Sequence, residues 1–113
     1  MIELIGVDDS LVVTEPVIME VVVGARTRQR EDELRRLLLR FDLVSFDAAV
    51  DFDAVGGIYR QCRRAGVTPR GTVDCMIASV ARRHGASLLA ADVDLVRVAN
   101  IVGVEIDSVP RGL

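Results

Sequence analysis

The sequence predicts an α/β fold with a mostly parallel sheet, and three observations carry that prediction. Apolar runs short enough for strands alternate with longer runs of helical period, the pattern of a sheet covered by helices. Half of the 113 residues are apolar, which suffices for a packed core. The stretch GTVDCMIASVARRHGASLLAADVD, Gly71 to Asp94, reads as a helix, a turn and a buried strand that together present carboxylates.

Each element has its own justification. Met1 to Ile5 reads as the tail of a helix, and Gly6 to Ser10 as a turn. Leu11 to Val13 suits a strand. Thr14, Glu15 and Pro16 then open a helix, with proline at a tolerated early position. Gly24 to Arg30 is a polar connection. Glu31 to Phe41 is helical, with Leu34, Leu37, Leu38 and Phe41 at three- and four-residue steps. Leu43 to Phe46 is a second strand. Asp47 caps a long helix to Ala65, whose apolar stripe is Phe52, Val55, Ile58, Tyr59 and Cys62. Gly66 ends that helix. Thr72 caps the next, with Val73, Met76, Ile77, Val80 and Ala81 on one face and Gly85 as its stop. Ser87 to Ala91 is a strand, a short helix runs to about Asn100, and Val104 to Ile106 closes the sheet.

Composition narrows the function. No apolar run approaches the length of a membrane span, and MIELIGVDDS lacks the pattern of a signal peptide. A cytoplasmic protein is expected. Cys62 and Cys75 are the only cysteines, and a disulfide is not expected in that compartment. No Cys/His spacing suggests zinc. The net charge of −3 does not advertise nucleic-acid binding. All 14 basic residues are arginine. Arg60, Arg63, Arg64, Arg70, Arg82 and Arg83 read either as solvated helix faces or as phosphate contacts. No glycine-rich phosphate loop is present.

Three distant segments each place an acid at a helix head or a strand end: Glu20, Asp74 and Asp92, with Asp94 close behind. Glu20 interrupts a run otherwise apolar from Val17 to Val23. It either points to solvent or is buried with something bound to it. Ligands of parallel α/β sheets gather at the carboxyl ends of strands, where Asp92 is expected. Carboxylates without His or Cys suit a hard cation such as Mg²⁺ or Mn²⁺.

The spacing of EPVIMEVVVGA, then TVDCMIASVARRHGASLLAADVDL, then a short closing strand resembles the PIN-domain ribonucleases, closest in style to the VapC toxins of bacterial toxin–antitoxin pairs. The resemblance runs from about Leu11 onward. It implies an α/β/α sandwich in which acids bind Mg²⁺ and cleave single-stranded or looped RNA. Glu20, Asp74 and Asp92 match the family's second, third and fourth acids, and Asp94 matches an auxiliary one. A homodimer and a small cognate antitoxin are implied partners.

The chain departs from the family at its start. Members open with an apolar strand, central in the sheet, that ends in the first metal-binding Asp. Val7-Asp8-Asp9-Ser10 imitates that motif, but too few residues separate it from Glu20 for a crossover connection. The sequence thus reads as residues 1–113 of one PIN-like domain, N-terminally truncated by a strand and a helix, with the two strands beside the gap left unpaired. Two functions follow from the resemblance: a Mg²⁺-dependent endoribonuclease whose activity suffers from the missing acid, or a non-catalytic toxin remnant that dimerises or binds an antitoxin.

Overall fold

A computed structural model describes residues 4–7, 10–89 and 93–107. Five strands and five helices follow one another as β1 (Leu4–Val7), β2 (Ser10–Val13), α1 (Glu15–Gly24), α2 (Arg28–Leu38), β3 (Asp42–Leu43), α3 (Ala48–Arg64), α4 (Thr72–Arg83), β4 (Ser87–Leu89), α5 (Val93–Val102) and β5 (Ile106–Asp107). The sheet order is β3-β2-β1-β4-β5.

The expected gap beside β2 is absent. Leu4–Val7, read from sequence as a helix tail and a turn, is the central strand. Val7 pairs with Ser10, so the chain doubles back and β1 lies antiparallel to β2. On its other side Leu4, Ile5 and Gly6 pair with Leu89, Leu88 and Ser87 of β4, again antiparallel. β3 is parallel to β2, and β5 to β4. Four strands therefore share one direction and β1 alone opposes them. The driving force is plain: Ile5 is fully buried and Leu4 nearly so, whereas an empty slot would leave two strand edges without partners.

Helix ends follow local chemistry. Pro16 sits in the first turn of α1. Thr27 caps α2 by accepting from the Arg30 N–H, which starts that helix three residues before the periodic leucines suggest. Asp47 caps α3 as expected, accepting from the Ala49 N–H. α4 begins one residue earlier than expected: Gly71 is its cap, and Thr72 is already helical. Gly85, at φ 60°, turns the chain from α4 into β4.

The main core lies against the sheet. Ile5, Val12, Val13, Val17, Leu38, Ile77, Val80, Leu88 and Leu95 are its larger members. A second cluster, Ile58, Cys62, Cys75, Ala78 and Val98, joins α3, α4 and α5. On α3 the inward face is not quite the expected one. Phe52 is 74% exposed and its neighbour Asp51 is fully buried.

Candidate functional site

Asp74 lies in the first turn of α4 and is 3% exposed, with both carboxylate oxygens enclosed. The helix dipole favours a negative charge at this end. That charge is felt next door. Cys75 is pushed up to about 11 by its burial, with Cys62 and Asp74 adding to the effect. Burial likewise raises Cys62. Both thiols are therefore held protonated near neutrality, as two small core side chains.

Asp94 likewise lies in the first turn of its helix, α5. Its Oδ2 lies 3.6 Å from Nη1 of Arg70, which precedes the cap of α4 by one residue. This ion pair spans the heads of two packed helices and was not expected from sequence. Glu20 is exposed on α1 and faces solvent. Asp92 lies outside the described residues, as do Asp8 and Asp9. Among the described residues no three Asp, Glu, His or Cys side chains form a group that would hold a metal ion. The structure thus places Asp74 and Asp94 at adjoining helix heads and Glu20 in solvent. Carboxylates alone make up the proposed donor set, which suits a hard cation in kind.

A second polar cluster ties α3 to α4. The fully buried Asp51 accepts from Ser79 Oγ at 2.6 Å, from Arg83 Nε at 3.3 Å and Nη2 at 3.0 Å, and from the Asp47 N–H at 2.8 Å. Burial alone would raise the Asp51 carboxyl, but these donors override it and hold the group below its usual value. Arg83 also donates to the Ser45 carbonyl. Its guanidinium therefore serves the fold, not the phosphate contact open to it on sequence grounds. A first-turn Asp preceding a helix with arginine in its last turn was the available signal. An open hollow of about 520 Å³ borders this cluster, between the β3–α3 connection and Arg83 and His84; it contains neither Asp74 nor Asp94.

The PIN domain family matches residues 2–101. The VapC ribonuclease Mb1587 of Mycobacterium bovis is 41% identical over 91 residues, which cover 80% of this chain and 68% of that protein. Ribonuclease VapC11 of Mycobacterium tuberculosis matches to the same extent. A match that starts ahead of β1 and ends within α5, over an α/β sheet with acids at the heads of α4 and α5, means that this chain belongs to the PIN-domain family, beside the VapC ribonucleases.

Proposed function

We propose that the protein is a toxin-type endoribonuclease that uses a divalent cation, Mg²⁺ or Mn²⁺, to cleave single-stranded or looped RNA in the cytoplasm, restrained by a cognate antitoxin and working as a homodimer. The enclosed carboxylate of Asp74 at the head of α4 is the observation that carries this reading. It agrees with the ribonuclease names of the 41% identical relatives. Among the described residues no helix is long and apolar enough to cross a membrane.

Asp74, Glu20 and Asp92 are the proposed catalytic acids, and with Asp94 they would hold the cation. When bound, such a cation activates water and offsets charge on the phosphate. The protein's own part is to orient. Burial fixes Asp74 in one place, at the positive end of α4. Glu20, on an exposed helix face, would have to be drawn in by the cation or the RNA.

A second reading, a non-catalytic interaction protein, has its own support. Among the described residues no three acids gather into a metal-holding group, and α1 shows exposed Met19 and Val23 on a helix that is apolar nearly all round. One pair of measurements separates the two. In the first reading Mn²⁺ raises the melting temperature and supports cleavage of single-stranded RNA, and Asp74→Asn abolishes cleavage and shrinks the shift. No shift and no cleavage by the unaltered chain, with retained self-association, leaves the second.

A further inference from the structure

The arginines of this chain are not equivalent. Arg83 is spent on Asp51 and Ser45. Arg30 and Arg35 pair with Glu33 and Glu31 along α2. Arg70 differs in place. It stands four residues before Asp74, reaches across to Asp94 on the next helix, and keeps 61% of its side chain exposed. An RNA strand brought to two buried or half-buried carboxylates meets repulsion, and its phosphates need a positive group at the same spot. Arginine suits that task because its planar fork matches a phosphate with two parallel hydrogen bonds. A guanidinium already held by a carboxylate also loses less freedom when a ligand arrives. Gly71 leaves the head of α4 without a side-chain cap, so the backbone there adds to the positive field.

We infer that Arg70 grips a backbone phosphate of the RNA substrate beside Asp74, and that Asp94 is the positioning residue which holds Arg70 for that contact. This rests on the ribonuclease reading. It also changes the part of Asp94, which acts through Arg70 and not only toward a cation.

The test is binding of a labelled single-stranded RNA, followed by fluorescence anisotropy in EDTA so that nothing is cleaved, across a series of salt concentrations. Arg70→Gln is expected to weaken binding several-fold and to lower the salt slope by about 0.7, the value of one phosphate contact on a single strand. Arg82→Gln, on the exposed end of α4, is the control and should change neither as much. Arg70→Lys should recover part of the loss, since the charge stays and the fork goes. Asp94→Asn should weaken binding too, although it removes a negative charge, and should add little once Arg70 is already Gln. Thermal melts of each variant confirm that it is folded.

An Arg70→Gln chain that binds like the Arg82 control overturns the phosphate contact. An Asp94→Asn chain that binds as tightly as the parent, or tighter, overturns the positioning role. If Arg70→Gln leaves RNA binding alone but strengthens stabilisation by Mn²⁺, then Arg70 is an internal counter-ion and the proposal is wrong. No salt-dependent binding by the unaltered chain overturns this inference; joined to no cleavage of RNA by the same chain in Mn²⁺, it sinks the ribonuclease reading as well.

Discussion

Asp51 shows what a single buried charge demands. Its carboxylate is satisfied by Ser79, Arg83 and a backbone N–H, all at the junction of α3 and α4. Replacing Arg83 by Met keeps the bulk of the stem but strands the carboxylate. Loss of one partner of a fully buried pair costs about 3–5 kcal/mol. Arg83 is 26% exposed, and Ser79 and the Asp47 N–H stay on the carboxylate, so Arg83→Met should cost less than that but still lower the melting temperature by several degrees at pH 7. The sign with pH follows from the depressed value of Asp51. A carboxyl held below its unfolded value stabilises above that value and loses the contribution as pH falls through the folded one. Stability should therefore decline below about the ordinary value of 3.8. Arg83→Met should flatten that acid limb, which melts at graded pH would show. The two cysteines make a simpler case. Buried thiols with raised values are poor nucleophiles. Iodoacetamide at pH 7 should label neither Cys62 nor Cys75 in the folded chain and both after denaturation. Rapid labelling of Cys75 in the native state would contradict its place in the core.

At the scale of the element, the sheet centre is the most constrained place. A Cβ on Gly6 would come within 2.9 Å of Ser87 Oγ, which donates to Asp107 at 2.5 Å. Gly6→Ala would have to displace that hydroxyl from β5, so we expect a loss of about 1 kcal/mol, read from chemical denaturation. A neutral or stabilising result would mean that β1 does not lie so close to β4.

The helices and β2 were legible in the sequence because their signals are local: periodic leucines in α2, an Asp cap and Gly66 around α3, the stripe and Gly85 of α4. Errors arose where a neighbour far along the chain decides. LIGV carries Gly6 within it and runs into VDDS, which reads as a turn, and only its partners Ser10–Val13 and Ser87–Leu89 make it a strand. The same holds for the face of α3. Phe52 fits the apolar stripe better than Asp51, but Arg83 and Ser79 from α4 reward burial of the acid. In the candidate site the positions of Asp74 and Asp94 at helix heads were readable. The Arg70–Asp94 pair was not, because nothing in either segment names the other.

The whole molecule hangs on a narrow join. β2 with β3, and β4 with β5, are two parallel pairs that touch within the sheet only through β1. A chain lacking residues 1–9 would present two open edges, β2 and β4, in the middle of its sheet. We expect it to aggregate, and to be rescued in part by a synthetic peptide covering residues 1–9, followed by light scattering. A shortened chain that stays monomeric and melts like the parent would show that helix packing alone holds the two halves.

The reversed strand also sets a timetable. One seam of β1 closes within a few residues, Val7 onto Ser10, on the scale of a hairpin, about 1–10 μs. The other joins Gly6 to Ser87 and must wait for nearly the whole chain to be gathered between them. We expect the hairpin to form first and only fleetingly, and the docking of β4 onto it, with α4 and its Asp74 in tow, to be the slower step.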